Sequence, residues 1–146
     1  MNSSGEVNEN VKVRDFMTAL IITADADTLV VDAAKLMAAE DVGSLLITKS
    51  DVLAGMVTRR EIVGAQLLSE ESLHSLCVSD IMTTPVVTIG PEADLGQAIA
   101  LMNQTGIRHI PVIEGNDIIG LIATMDIIRV LATMKLIADG APDDED

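Results

Sequence analysis

Hydrophobic positions along this chain follow two spacings, one typical of helices and one typical of strands. Apolar side chains recur every three or four residues over 30–42 and again over 95–107, which predicts two helices that each bury one face. Shorter apolar runs predict strands at residues 20–23, 45–48, 53–57, 86–89, 110–113 and 118–123. A further helix follows each pair of strands, near residues 59–68 and 124–138, so the order β-α-β-β-α occurs twice.

Cap and turn residues occur where these elements begin and end. Asp94 is a predicted helix N-cap, because Gln97 three residues later completes a capping box. Thr58 and Glu61 repeat this pattern before a later helix. The connections at 49–52 and 114–117 contain residues that favour tight turns between antiparallel strands.

The two halves of the chain are copies of one unit. A shift of 65 residues aligns residues 13–62 with residues 78–127 without a gap, and ten aligned positions are identical. Such a register indicates a duplicated structural unit. A unit of about 60 residues buries only a marginal core alone, so we expect two repeats of mixed α/β structure packed as one pseudo-twofold module. The predicted organisation is a flexible N-terminal tail at 1–10, a first repeat at 11–68, a linker at 69–77, a second repeat at 78–138 and an acidic C-terminal tail at 139–146.

Composition excludes several classes of protein. Hydrophobic residues make up 49% of the chain, enough for a packed core, yet no apolar run reaches the ~18 residues of a membrane span. The polar first ten residues lack the basic and apolar regions of a signal peptide, so we expect a cytoplasmic protein with no membrane partner. The single cysteine, Cys77, excludes an intrachain disulfide and a cysteine-rich metal site.

The charge balance makes nucleic acid an unfavourable partner. The chain has 9 basic and 23 acidic residues, a net charge of −14 that repels polyanions. One phenylalanine and no tyrosine or tryptophan leave no platform on which bases could stack. Any adenine ring would therefore be held by aliphatic side chains and backbone.

The turn from the last strand into the last helix is the candidate site of chemistry in each half. It reads Gly-Met-Val-Thr-Arg-Arg-Glu from Gly55 and Gly-Leu-Ile-Ala-Thr-Met-Asp from Gly120. The glycine permits close approach of a ligand or of backbone. The helix start that follows favours an anion such as phosphate, and a carboxylate one turn into the helix can accept hydrogen bonds from both hydroxyls of a ribose.

At these residues the sequence resembles the CBS-domain pair, also called the Bateman module. The resemblance covers about residues 11–133. It rests on the V-x-D-x-M-T openings that begin at Val13 and Val78, on Ile-Arg-His-Ile-Pro-Val at 107–112, and on the two glycine turns. It implies two CBS repeats with clefts between them that bind AMP, ADP, ATP or S-adenosylmethionine as a regulatory ligand, with no cofactor required.

The family's ligand motif places a hydroxyl three residues after the glycine and an aspartate six residues after it. The first repeat has Thr58 at the hydroxyl position but Glu61 at the acid position, whereas the second has Ala123 and Asp126. Neither half is complete. Thr124, one residue late, is the candidate substitute for the missing hydroxyl.

Basic residues distinguish the second repeat. Family members hold phosphate with basic side chains before the proline of the middle strand, which implies Arg108 and His109 here. The second repeat is therefore expected to form the better nucleotide site. Arg59 and Arg60 add positive charge on a chain that would otherwise repel phosphate. The set of candidate ligand contacts is completed by Val86 and Pro111.

Each of these signals also has a purely structural interpretation. Thr58 with Glu61 is an ordinary capping box. Asp126, in a first helical turn, complements the helix dipole. Arg108 and His109 fit a solvated strand end equally well. Spacing alone does not choose between these interpretations and ligand binding.

Three functions follow, in decreasing order of support. The first is a regulatory module that senses an adenosyl ligand and modulates an unidentified protein on another chain. The second is a dimerisation or scaffold module that binds no ligand. The third, an enzyme, is disfavoured because no nucleophile–histidine set, paired carboxylates or metal cluster is recognisable. The helix at 124–138 is apolar on more than one face, which predicts a homodimer.

Overall fold

The computed structural model describes residues 11–140, which form two compact units. One unit is Leu20–Val87, and the other joins residues 11–19 to residues 88–140. Helices and small sheets alternate, as expected for the predicted mixed α/β class. The elements in chain order are α1 (Val13–Phe16), β1 (Thr23–Asp25), α2 (Val30–Glu40), β2 (Ser44–Lys49), β3 (Val52–Thr58), α3 (Arg59–Ala65), α4 (Glu70–Ser75), α5 (Val78–Ile81), α6 (Leu95–Thr105), β4 (His109–Glu114), β5 (Asp117–Ala123) and α7 (Thr124–Gly140).

The unit Leu20–Val87 contains a three-stranded sheet in the order β1-β2-β3. β1 runs parallel to β2, and β2 and β3 form an antiparallel hairpin. The hairpin turns through Ser50 and Asp51, whose φ angles of 53° and 64° match the twist of a two-residue loop, as predicted. The helical spacing predicted for 30–42 is confirmed, because Val30, Ala33 and Met37 of α2 are buried against this sheet.

The unit of residues 11–19 and 88–140 contains the antiparallel pair β4–β5. Its helix α6 begins at the predicted capping box: Asp94 Oδ1 accepts from the Gln97 N–H at 2.8 Å, and Gln97 Oε1 accepts from the Asp94 N–H at 2.9 Å. Buried apolar residues from α1, α6, β4, β5 and α7 form one cluster. Its members are Val13, Leu95, Ala98, Ile110, Val112, Ile122 and Ile127.

The two opening segments, residues 13–18 and 78–83, do not pack with the strands that follow them in sequence. Val13, from the first opening, is fully buried in the cluster that contains Leu95. Val78, from the second opening, is fully buried in the cluster that contains Val30. The compact units therefore differ from the sequence repeats by an exchange of these two segments.

The strand predicted at 86–89 is wrong. Only Ile89 pairs there, in a single bridge to Val112. The physical reason is Pro111. In the other unit the Leu46 N–H donates to the Ile22 carbonyl at 3.0 Å, but Pro111 occupies the place of Leu46 in the second repeat and has no N–H to donate.

Other predicted boundaries move by a few residues. The first strand is Thr23–Asp25 rather than 20–23, and the helix predicted near 59–68 ends at Ala65. The segment 69–77, predicted as a linker, includes helix α4, and helix α7 extends to Gly140. The predicted tails at 1–10 and 141–146 lie outside the described residues.

Candidate functional site

Asp126 is a buried carboxylate at the start of the longest helix. β5 ends at Ala123, α7 begins at Thr124, and Asp126 is only 9% exposed. Its Oδ2 accepts a hydrogen bond from the Ala123 N–H at 2.8 Å. This bond caps the helix and fixes the orientation of the carboxylate.

The second oxygen of Asp126 is held less tightly. The Thr18 hydroxyl donates to Oδ1 at 3.4 Å, which is long for a hydroxyl donor. Arg129 Nη1 lies 3.7 Å from the same oxygen, and the Arg129 side chain is 71% exposed. Because an ionised carboxylate offers about four lone-pair sites, Oδ1 keeps capacity for a further donor.

Glu61, the acid of the other unit, accepts hydrogen bonds from Thr58 within its own turn. Its Oε1 accepts both the Thr58 N–H at 2.8 Å and the Thr58 hydroxyl at 2.9 Å. The capping interpretation of this pair is therefore confirmed. A Thr58 hydroxyl that donates to Glu61 has no second proton for a phosphate, although its oxygen can still accept.

Thr124, the candidate substitute for the ligand hydroxyl that Ala123 lacks, makes its hydrogen bonds to residues other than Asp126. Its Oγ1 donates to the Met102 sulfur at 3.8 Å, and its N–H donates to the Arg108 carbonyl at 3.1 Å. The hydroxyl on Asp126 comes from Thr18, which the sequence reasoning missed. No local spacing could have identified it, because the two residues are 108 positions apart.

The structure brings Arg108 and His109 to the start of α7. His109 is the first residue of β4 and pairs with Ala123 across the β4–β5 ladder. Arg108 precedes it and is exposed, whereas His109 is half-buried. Arg108, His109, Thr124 and Asp126 therefore share one end of the β4–β5 sheet.

The corresponding end of the other unit carries two arginines. Arg59 and Arg60 are exposed at the start of α3, and the Arg59 N–H donates to the Gly43 carbonyl at 3.3 Å. Within residues 11–140, neither of them nor Arg108 forms an ion pair. All three guanidinium groups remain available to an anion.

Pro111 and Val86 complete the predicted set. Pro111 is fully buried in β4 and pairs with Leu121 of β5. Val86 is half-buried and lies outside the regular strands of the unit Leu20–Val87.

A groove of about 410 Å³ lies beside Asp126, between α1 and α7. No signal in the sequence indicated it, because its walls come from both ends of the chain. Four of its eight lining residues are polar and four are apolar. The lining residues are Val11, Asp15, Phe16, Asp126, Arg129, Val130, Thr133 and Met134.

Two further properties concern the described part of the chain. None of its helices is long and apolar enough to cross a membrane. In residues 11–140, no group of three or more His, Cys, Asp and Glu side chains is placed to hold a metal ion.

A family model and a curated relative match most of this sequence. The model of the CBS domain matches residues 13–68 and again residues 78–133. The mitochondrial CBS domain-containing protein CBSX3 of Arabidopsis thaliana is 33% identical over 133 aligned residues. That match covers 83% of this chain, and the chain spans 65% of the length of the relative.

Solved structures share the fold. The CBS-domain containing protein ATU1752 from Agrobacterium tumefaciens is 28% identical, with a TM-score of 0.73 over 81% of this chain and 91% of its own. A structure of CBSX2 in complex with AMP is 23% identical, with a TM-score of 0.73 over 86% of this chain and 99% of its own.

Proposed function

Since this chain belongs to the CBS-domain family and contains two CBS domains in tandem, we propose that it is a regulatory module that binds an adenosyl ligand and modulates a partner protein. The observation that carries the proposal is the Asp126 carboxylate, which is buried, oriented by the Ala123 N–H and open to another donor at Oδ1. The candidate ligands are AMP, ADP, ATP and S-adenosylmethionine. The proposed role is regulatory rather than catalytic.

Ribose recognition is the step that Asp126 would perform. A carboxylate fixed by its own helix start loses little side-chain entropy when a ligand binds. A ribose hydroxyl that donates to Oδ1 would form a charge-assisted hydrogen bond, which is stronger than a neutral one. Burial strengthens it further, because water competes less at a residue that is only 9% exposed.

The basic side chains near Asp126 would bind the phosphate of the ligand. Arg108 and His109 lie at the same sheet end, and Arg108 has no ion-pair partner among residues 11–140. A chain of net charge −14 repels phosphate unless cations are concentrated at the site. AMP is the first ligand to test, because the structure of CBSX2, which has the same fold, contains it.

Regulation would follow if the ligand binds two arrangements of the module with different affinities. A ligand that binds one arrangement of the module better than another shifts the population towards the arrangement that it prefers. A partner protein that distinguishes the same two arrangements is then coupled to the ligand, and the coupling is reciprocal.

A non-binding dimerisation or scaffold module is the second candidate. The observation that favours it is the pairing of Thr58 with Glu61, which satisfies two of the motif's groups without a ligand. The replacement of the second motif hydroxyl by Ala123 points the same way.

Thermal unfolding with added ligand separates these candidates. At a concentration of 100 times its Kd, a ligand stabilises the fold by about 2.7 kcal/mol, so AMP, ADP, ATP or S-adenosylmethionine should raise the Tm by several degrees. Asp126→Asn keeps an acceptor for the helix cap but weakens ribose binding, so it should lose most of the ligand shift. Asp80→Asn is the matched control: Asp80 also accepts a backbone N–H at 2.8 Å but lies outside the candidate set.

A second arm identifies the phosphate contact. Arg108→Ala should reduce the shift caused by AMP while leaving the smaller shift caused by adenosine. The absence of a Tm shift with any adenosyl compound would overturn the proposed function and favour the scaffold. Hydrolysis of ATP by the purified protein would favour an enzyme instead.

A further inference from the structure

The second repeat carries Ala123 where the first carries Thr58, yet its acid still receives a hydroxyl. We propose that Thr18, from the opening segment, supplies this hydroxyl to Asp126 and acts as a positioning residue of the ligand site in its unit. The inference rests on the proposed function, because the site that Thr18 serves is the adenosyl site assigned to Asp126.

Backbone pairing fixes the position of Thr18. The Thr18 N–H donates to the Leu121 carbonyl at 2.8 Å, and the Leu121 N–H donates to the Thr18 carbonyl at 2.9 Å. This reciprocal pair places Thr18 beside β5, opposite a residue two positions before Ala123. The Thr18 hydroxyl then reaches Asp126 Oδ1 from outside the helix that carries the acid.

The exposure of the two partners makes the contact accessible. Thr18 is exposed, whereas Asp126 is buried. Their shared hydrogen bond is accordingly only partly buried. A ribose hydroxyl that reaches Oδ1 would join the Thr18 hydroxyl there, so Thr18 would position the free oxygen of a carboxylate whose Oδ2 the Ala123 N–H already holds.

The other unit places its hydroxyl differently. Thr83 corresponds to Thr18 and makes the same backbone pair with Met56, at 2.8 and 3.2 Å. In the described part of the chain, however, the Thr83 side chain makes no hydrogen bond to Glu61, and Thr58 supplies that hydroxyl instead. Each acid thus has one hydroxyl partner, local in one unit and from the opening segment in the other.

Moving the hydroxyl tests the inference directly. A typical intramolecular hydrogen bond is worth a few-fold to about tenfold, and the Thr18–Asp126 contact is long and acts indirectly, so Thr18→Val should weaken AMP binding roughly fivefold in calorimetry. Thr18→Ser should restore wild-type affinity. The double variant Thr18→Val with Ala123→Thr should recover most of the loss, because the introduced hydroxyl takes the place that Thr58 has in the other unit.

Thr83→Val is the matched control, since it makes the same replacement of a hydroxyl by a methyl group in the other unit and should leave AMP affinity unchanged. Wild-type affinity in Thr18→Val would overturn the inference. A loss that neither Thr18→Ser nor Ala123→Thr repairs would also overturn it, because that pattern indicates only a packing role.

A ligand-free measurement separates this inference from the proposed function. Thr18→Val, Asp126→Asn and the double variant form a cycle of Tm values. The two single shifts should exceed the double shift when added, because both variants break one hydrogen bond. Additive shifts would overturn the role of Thr18 even if AMP binds. Non-additive shifts in a protein that binds no adenosyl compound would leave the Thr18–Asp126 contact established and the proposed function wrong.

Discussion

Two glycines of the repeat are explained by methionines of the opening segments. A Cβ added at Gly120 would lie 2.6 Å from the Met17 sulfur and 3.0 Å from the Thr18 carbonyl oxygen. A Cβ at Gly55 would overlap the Met82 side chain. The sequence predicted close approach at both glycines, and the structure assigns that approach to the opening segments. The Met-Thr pair and the glycine turn are therefore parts of one contact.

Alanine at these glycines should destabilise the protein by unequal amounts. At Gly120 the new methyl group meets the Thr18 carbonyl oxygen, which moves only with the backbone paired to Leu121, so Gly120→Ala should lower the free energy of unfolding by about 1–3 kcal/mol. At Gly55 the three nearest atoms all belong to the flexible Met82 side chain, so Gly55→Ala should cost less. Urea unfolding of both variants measures the difference. Equal losses would contradict this account, and Gly64→Ala, where no atom lies within 4 Å, is the control.

Short spacing explains which site contacts were predictable. Thr58 and Glu61 are three residues apart, so a helix start necessarily brings them together. Thr18 and Asp126 are 108 residues apart, and their contact depends on the pairing of an opening segment with β5. The roles of the ten candidate residues in ligand binding stay predictions.

A carboxylate pair gives the fold one pH-dependent contact. A side-chain hydrogen bond with Asp25, together with the repulsion between the two charges, raises the pKa of Asp27 above its ordinary value. A raised carboxyl pKa means that the folded state favours the protonated form. The stabilisation is therefore complete below the ordinary pKa and is lost as pH rises through the raised one.

Asp25→Asn should consequently stabilise the protein slightly at pH 7, because it removes the repulsion that Asp25 exerts on the Asp27 carboxylate. The gain in Tm should disappear as the pH falls below the ordinary pKa of Asp27, because wild-type Asp27 is then protonated. Thermal scans between pH 3 and about pH 7 measure this difference. Asp117→Asn removes one exposed acid elsewhere and controls for net charge. A Tm gain that is equal at all pH values, or equal to that of the control, would refute the pairing.

At the level of elements, the apolar pattern predicted where a helix or strand lies better than it predicted which strands pair. Both hairpins were predicted to within two residues, since their turns and strands are contiguous in sequence. The strand predicted at 86–89 failed because a ladder needs a donor from its neighbour, and Pro111 has none. A pattern of apolar residues reports burial but not the hydrogen-bond partner.

Helix α7 has apolar side chains that the other described residues, 11–140, leave exposed. Ile127 is buried, but Ile128 is 49% exposed, Leu131 is 43% exposed and Leu136 is 76% exposed. The sequence predicted burial of this helix on more than one side, so the homodimer stays a proposal in which a second copy covers the exposed face.

A charge on this face should prevent dimerisation. Leu131→Glu would place an unpaired carboxylate in an apolar interface, which costs several kcal/mol. We expect sedimentation equilibrium to give twice the chain mass of 15.4 kDa for the wild-type protein and 15.4 kDa for the variant. Val52→Glu, at an equally apolar and 66% exposed hairpin position, should stay dimeric. A monomeric wild-type protein would exclude this use of α7.

At the scale of the whole molecule, net charge opposes compactness. The chain has 23 acidic residues against 9 basic ones, so like charges repel across the surface. Among the lysines and arginines of the described residues 11–140, only Arg14 and Arg129 form ion pairs. These ion pairs therefore neutralise only a small part of the excess negative charge.

Salt should stabilise this protein. Raising NaCl from about 0.01 M to about 0.1 M shortens the Debye length from roughly 30 Å to roughly 10 Å, which screens the repulsion. The Tm should rise across this range, whereas sucrose of matched osmolality should produce a smaller change. A Tm that falls with salt would mean that the few ion pairs outweigh the repulsion, against the charge count.

The family assignment came from the combination of signals rather than from any one of them. Two V-x-D-x-M-T openings and two glycine turns, each pair at the same offset, together with one Arg-His-x-Pro stretch, predicted a CBS-domain pair. The family model confirms both copies. Solved structures confirm the fold class. Repetition made these short motifs specific, because chance matches do not recur in one register.

The sequence by itself determined the duplication, the four predicted helices, the two hairpins and the two predicted capping boxes, because each depends on residues a few positions apart or on a register that repeats. Only the tertiary structure decided which opening segment completes which core. Val13 and Val78 occupy identical places in the repeat, so the local sequence does not indicate which of the two cores each valine joins. The burial of Val13 with Leu95, and the hydrogen bond from Thr18 to Asp126, require contacts between residues that are about 80 and 108 positions apart, which chain folding alone brings together.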